Sequence, residues 1–242
     1  FVIRHFRIQD ALGPDGGIPR PVPRPFFTYG DFEFLLQATS HRVRHTRCGN
    51  KNHGGMSVSK TAAIELKGIS KHFGSVQANR NVDLTVYNGE ILAILGENGS
   101  GKTTWMKMVA GLVKPTSGEI LYQNQPIGKE SKKEIAYMST EPYFYNWMSV
   151  ADVGKYYADF FEDFSMEKYQ QMITRMELTE DMKAKKLSSG MMAKLKIAVT
   201  MARKAKIYLL DEPLNGIDLL ARDEIMKSIL EAVDPDVTLV VS

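Results

Sequence analysis

The run Gly96-Glu97-Asn98-Gly99-Ser100-Gly101-Lys102-Thr103 fits the pattern G-x-x-x-x-G-K-[ST], and no other feature constrains the fold as strongly. It follows Ile91-Leu92-Ala93-Ile94-Leu95, an unbroken apolar stretch of the kind a parallel strand buried on both faces needs. The glycines let the backbone turn back so that successive N–H groups converge. A helix over residues 102–113 would aim its positive end at the same point. That arrangement suits a polyphosphate. Lys102 is expected to neutralise the outer phosphates, and the Thr103 hydroxyl to hold a magnesium ion bridging two of them. The plainer reading, a glycine-rich turn with an incidental lysine, leaves the agreement of strand, spacing and helix unaccounted for.

Composition divides the chain near residue 55. Residues 1–55 hold seven of the eleven arginines, one of the twenty lysines, four of the five histidines, five of the ten prolines and none of the thirteen methionines. The stretch Pro19-Arg20-Pro21-Val22-Pro23-Arg24-Pro25 has no hydrophobic period and reads as poorly ordered. Met56 is the first possible start. Residues 1–55 are therefore expected to be a non-native leader, with a disordered extension or a basic targeting arm as alternatives. The leader carries eight Lys+Arg against four Asp+Glu, leaving 23 against 24 in residues 56–242. Those residues form a near-neutral unit, and no nucleic-acid partner is expected. The lone cysteine, Cys48, lies in the leader, so neither disulfides nor cysteine-rich metal sites are expected beyond it, as suits a reducing cytoplasm. No apolar run approaches the roughly 18 residues that cross a bilayer, so a membrane role would need another polypeptide.

From Met56 onward, residues 63–68 and 81–87 alternate as half-buried strands, and Tyr87-Asn88-Gly89-Glu90 turns the chain into the strand before the phosphate loop. Residues 119–123 and 134–139 read as two further strands. The period then changes. Ser149 is a plausible N-cap with Asp152 three residues on, and Val150, Val153, Tyr157, Phe160 and Phe161 form one helical stripe. Tyr169, Met172, Ile173 and Met176 form a second stripe after Ser165. A helical insert over about 140–190 thus separates two strand-containing parts. After it, Leu187-Ser188-Ser189-Gly190-Met191 opens a helix reaching about residue 204, followed by the apolar strand Ile207-Tyr208-Leu209-Leu210 and then Asp211-Glu212-Pro213.

An apolar strand ending in two carboxylates places Asp211 and Glu212 at the carboxyl edge of a parallel sheet, where ligands bind in open α/β folds. Asp211 is expected to support magnesium. Glu212, projecting differently, would orient or deprotonate a water aimed at the terminal phosphate. Ser188 with the N–H groups of Ser189 and Gly190 would form a second anion site at a helix N-terminus, unless the serine is an ordinary cap.

Taken in order, these motifs make residues 64–242 resemble the ATP-binding subunit of a bacterial ABC transporter. The resemblance implies a P-loop α/β core with a parallel central sheet, an N-terminal antiparallel β subdomain and a helical insert carrying the signature Leu187, Ser188, Ser189, Gly190, Met191. It implies ATP and magnesium as cofactors. Binding would involve Gly96, Glu97, Asn98, Gly99, Ser100, Gly101, Lys102, Thr103 and Thr104, with Phe73 stacked on adenine unless that ring is a core residue. Thr103 and Asp211 would hold the metal, Glu212 would act in catalysis, and Asp218 would lie in the loop that communicates across a dimer. Two cassettes would pair head to tail, each signature closing over the nucleotide of the other, so that hydrolysis reopens the pair. A separate membrane-spanning permease would couple this cycle to transport, placing the chain at the cytoplasmic face of the membrane.

Several positions depart from that pattern. Ser189 and Met191 stand where glycine and glutamine are usual, and Thr140 stands at the glutamine-loop position, too short to reach magnesium except through water or a shifted backbone. The chain ends before the position of the switch histidine, which predicts a C-terminally truncated cassette with slow or absent hydrolysis. Tyr143, Phe144, Tyr145, Trp147 and Met148 crowd beside Thr140 and would form either a docking surface for the membrane subunit or internal packing. The alternatives are a soluble ATPase of the same superfamily and a nucleotide-gated module that barely hydrolyses. A DNA-repair relative would need a long coiled coil for which the insert has no room. A ribosome-binding relative would carry two cassettes and a basic linker.

Overall fold

The computed structural model describes residues 2–7, 61–141 and 143–242. Short, largely apolar strands are readily buried between two layers, and Glu90–Leu95, Ile135–Met138, Ile207–Leu210 and Thr238–Val241 of the central sheet are of this kind. Its parallel order is β1 (Val2–Arg7), β4 (Glu90–Leu95), β9 (Thr238–Val241), β8 (Ile207–Leu210) and β7 (Ile135–Met138). Successive side chains leave a strand on opposite faces. Ile91, Ala136, Met138, Tyr208, Leu210, Leu239 and Val241 accordingly enter one core, while Leu92, Ile94, Ile135, Ile207, Leu209 and Val240 enter another.

The second core lies under an antiparallel sheet of order β3-β2-β5-β6, formed by β2 (Ala62–Phe73), β3 (Val76–Tyr87), β5 (Ser117–Tyr122) and β6 (Gln125–Pro126). The first two strands run 12 residues each, longer than their alternation suggests, because register shifts such as that between Leu66 and Ile69 absorb the breaks in pattern. Helix α1 (Lys102–Val109) fills the same core with Trp105, Met106, Met108 and Val109. It is shorter than expected: Gly111 adopts φ +69°, and Lys107 O accepts from both Leu112 N and Val113 N, which closes the helix. The hairpin into β6 and the helix α2 (Lys129–Glu134) are too short to announce themselves in the sequence.

The first core is helical. Helix α3 (Val150–Phe160) begins at a capping box in which Asp152 N donates to Ser149 Oγ at 3.1 Å and Ser149 N to Asp152 Oδ2 at 2.8 Å. Helix α4 (Met166–Arg175) begins at Ser165, whose Oγ accepts from Lys168 N at 3.2 Å, and buries Tyr169, Met172, Ile173 and, just beyond its end, Met176 as expected. One member of the first stripe does not conform. Phe160 lies at the margin of the arc set by Val150 and Val153; it is 67% exposed and rests its ring on Tyr156 at 4.6 Å. Helices α5 (Ser189–Met201) and α6 (Leu219–Ala232) complete this layer, α6 without a sequence forecast.

Within the stretch expected to be a leader, Val2–Arg7 form a strand. These pair in parallel with β4, Val2 opposite Glu90 through Arg7 opposite Leu95. Val, Ile and Phe favour a strand, and the outer edge of β4 offers a row of backbone donors and acceptors. Residues 8–55, with the proline-arginine stretch and Cys48, lie outside the described residues. Among the described residues, no helix is long and apolar enough to cross a membrane.

Candidate functional site

The phosphate loop joins β4 to α1 at the carboxyl edge of the parallel sheet. Gly101 precedes the helix with φ 89°, and a Cβ there would stand 2.2 Å from Ala78 O and 2.7 Å from Asn79 Nδ2. Only glycine meets both demands. Asn79, buried in β3, donates from Nδ2 to Gly101 O at 3.4 Å and braces the loop from behind, a role that no local pattern marks. Lys102 folds back, its Nζ donating to Gly96 O at 2.7 Å and Glu97 O at 3.0 Å. Glu97, Asn98 and Gly99 are exposed, and Thr103 and Thr104 occupy the first turn of α1. An alanine at position 101 should destabilise the fold by about 1–3 kcal/mol. Its Gly101→Ala protein should show a lowered thermal midpoint together with lost ATP binding.

Two features of this loop fit an anion. Helices α3, α4, α5 and α6 each begin at a serine or aspartate whose side chain takes a first-turn N–H, whereas α1 has neither a side-chain cap nor an acidic residue in its first turn. A helix start with no side-chain cap and no first-turn carboxylate suits an anionic ligand. The Ser100 hydroxyl, buried in the loop, has no hydrogen-bond partner among the described residues.

Beside the loop lies Asp211, fully buried at the end of β8. Thr103 Oγ1 donates to Asp211 Oδ1 at 3.1 Å, so the two residues expected to share a metal are in contact. Ser242 Oγ donates to the same oxygen at 3.0 Å, and Tyr137 OH to Oδ2 at 3.1 Å. Three hydroxyls thus satisfy a buried carboxylate. Burial raises the Tyr137 phenol far above its ordinary pKa, and the Asp211 carboxylate adds to the effect, so Tyr137 remains a donor. Tyr137 and Ser242 were not foreseen. Their one signal is position: each sits at or near the carboxyl end of a parallel strand, converging on Asp211 from 74 and 31 residues away. A hydroxyl and a carboxylate side by side are hard oxygen ligands that suit magnesium.

Glu212 follows in the left-handed region, φ 48°, unusual for a residue with a side chain. Its N–H donates to Ser242 Oγ at 3.1 Å and its Oε2 accepts from Asn215 Nδ2 at 3.2 Å. Its carboxylate thus has a different partner from that of Asp211, which takes the hydroxyls of Thr103, Tyr137 and Ser242.

The signature segment opens helix α5. Ser188 Oγ caps α5 by accepting from Met191 N at 3.2 Å. Gly190 is packed closely: a Cβ there would come within 3.0 Å of Gly216 O. Asp218 caps α6 by accepting from Ala221 N at 3.0 Å. Phe73 is 50% exposed with Lys71 Nζ 4.8 Å from its ring centroid, which removes core packing as the reason for that ring. Thr140 contributes its backbone carbonyl, not its side chain, by accepting from Lys196 Nζ at 2.7 Å. The aromatic cluster divides. Met148 is buried and Phe144 packs on the core, while Tyr143, Tyr145 and Trp147 are 42%, 56% and 65% exposed, with Tyr145 and Trp147 stacked at 6.0 Å.

A glycine cradle on a strand-to-helix turn, with a buried aspartate at the end of a neighbouring parallel strand, defines a P-loop nucleotide-binding protein. Comparison with known proteins narrows the class. The ABC transporter family model matches residues 79–215. The ABC transporter ATP-binding protein YtrB of Bacillus subtilis is 31% identical over 172 residues, covering 70% of this chain and 59% of YtrB. The aliphatic sulfonates import ATP-binding protein SsuB of Zymomonas mobilis is 32% identical over 172 residues, 69% of each chain. Among solved structures, an ABC transporter ATP-binding protein from Pyrococcus furiosus superposes with a TM-score of 0.66 at 27% identity, covering 74% of this chain and 90% of that one. The chain belongs to the ABC transporter family as an ATP-binding cassette. It spans 59% of the length of YtrB.

Proposed function

We propose that the chain binds ATP with magnesium, pairs with a second cassette and hydrolyses the nucleotide to drive a separate membrane subunit at the cytoplasmic face of the membrane. The observation that carries this reading is the contact between Thr103 of the phosphate loop and Asp211, with Glu212 one residue beyond. Residues 96–104 would bind the phosphates, with Lys102 and the open end of α1 supplying positive potential. Thr103 and Asp211 would hold magnesium, which when bound supplies Lewis-acid charge neutralisation. Glu212 would accept a proton from the attacking water, and the exposed face of Phe73 opposite Lys71 would take the adenine ring. Ser188, Ser189 and Gly190 would face the nucleotide of a second copy. The surface beside them supports this: Leu219 and Leu220, next to Asp218, are 70% and 91% exposed.

The test is phosphate release from ATP. Magnesium-dependent turnover carries the reading. Tight ATP binding without turnover favours the second reading, a nucleotide-gated module, which the lack of a Thr140 side-chain contact to Asp211 or Glu212 supports.

The exposed rings of Tyr145 and Trp147, joined by Tyr156 at 6.3 Å from Tyr145, form a surface that would dock the membrane subunit. Aromatic anchors dominate such interfaces, so Trp147→Ala should weaken assembly with that subunit about 10–30-fold. ATP affinity, measured on the same protein, should be unchanged. Equal loss of both would make Trp147 a packing residue.

A further inference from the structure

Lys196 is a buried lysine in a largely apolar helix. It lies in α5 among Leu195, Ile197, Ala198 and Val199, all buried, and is itself only 6% exposed. A buried ammonium persists only where acceptors replace its water. Its Nζ donates to Ser139 O at 3.0 Å and Thr140 O at 2.7 Å, the two carbonyls directly after β7. Desolvation pulls the Lys196 pKa down, and the Asp211 and Glu212 carboxylates oppose that shift in part, so the cation lies within the field of both carboxylates. The other hydrogen bonds of this turn are local or belong to the residue before it. Met138 is fixed by Asp211 N donating to its carbonyl, and the Ser139 hydroxyl bonds within its own turn, to Glu141 O and N.

We propose that Lys196 is a positioning residue that fastens the Ser139–Thr140 loop to the helix headed by Ser188, so that the loop beside Asp211 and Glu212 keeps its place only as α5 does. The proposal rests on the ATPase reading and supplies what the short Thr140 side chain does not. The backbone, rather than a long side chain at position 140, is tied to the signature helix. A movement of Ser188 toward a partner nucleotide is thereby delivered to the acids of the chain's own site through one ammonium and two carbonyls. A purely packing role for Lys196 would be filled as well by methionine, which has a similar length and no charge.

Lys196→Met tests this by two measurements on the full chain: amide hydrogen exchange over residues 139–147, and steady-state ATP hydrolysis beside ATP affinity. Exchange in that segment should quicken about tenfold without a matching change in β8, and kcat should fall about tenfold with ATP affinity held within twofold. Unchanged protection, or kcat and affinity falling together, overturns the proposal. Should the methionine variant not fold, Lys196→Gln, which keeps an N–H donor on a shorter stem, decides by the same readings: retained protection supports the latch, and loss of protection with unchanged kcat overturns it. If the parent protein binds ATP without turnover while the methionine variant loses protection, the ATPase reading fails and the latch stands.

Discussion

Replacing Glu212 with glutamine should lower kcat for ATP hydrolysis by about 10²–10⁴-fold, the range removed with a positioned general base. ATP affinity should hardly change. The substitution keeps shape and most of the local bonding: a glutamine carbonyl still accepts from Asn215 Nδ2, and the backbone N–H still reaches Ser242 Oγ. Only the capacity to take a proton is lost. Because hydrolysis is the step that would release the paired state, Glu212→Gln should also accumulate an ATP-bound dimer, visible by sedimentation as a doubled mass that the parent shows only transiently. A variant that hydrolyses as fast as its parent would remove Glu212 from the role of base.

The second large effect concerns Lys102. Lys102→Ala removes a charge-assisted bond to a phosphate, worth about 1.5–3 kcal/mol, and should weaken ATP binding by about 10–150-fold. It also unfastens the loop, since the ammonium bridges the carbonyls of Gly96 and Glu97. The thermal midpoint without nucleotide should move little, because those bonds stay within one loop. With nucleotide present the difference should be large, since the parent gains ligand-linked stability that the variant cannot. Equal ATP affinity in the two proteins would remove the phosphate loop from nucleotide binding.

How much of this could be read before folding depended on how local each signal is. The phosphate loop, the caps at Ser149 and Ser165 and the strand ending at Asp211 are each written within about ten residues, and spacing alone exposes them. Tyr137, Ser242, Asn79 and Lys196 act across 74, 31, 22 and 56 residues. No local pattern marks them. A parallel sheet gathers residues whose only common property is to end a strand, and a buried lysine in a largely apolar helix looks like any solvated one until its acceptors are in place. Phe160 shows the opposite failure, a ring counted into a stripe although its angle on the helix lies at the margin. Short elements such as β6 and α2 fall below the length at which periodicity speaks.

The division of the central sheet between two cores has a mechanical consequence. Tyr208 and Leu209 are adjacent in β8, yet each belongs to a different interior, and the same is true of Ile91 and Leu92. Sliding any of these strands by one position would exchange the contents of the two interiors, so translation along the sheet is forbidden. What stays permitted is rotation of one whole layer against the other, with the sheet as the shared wall. A small displacement at the strand ends therefore finds no path of slippage along the sheet.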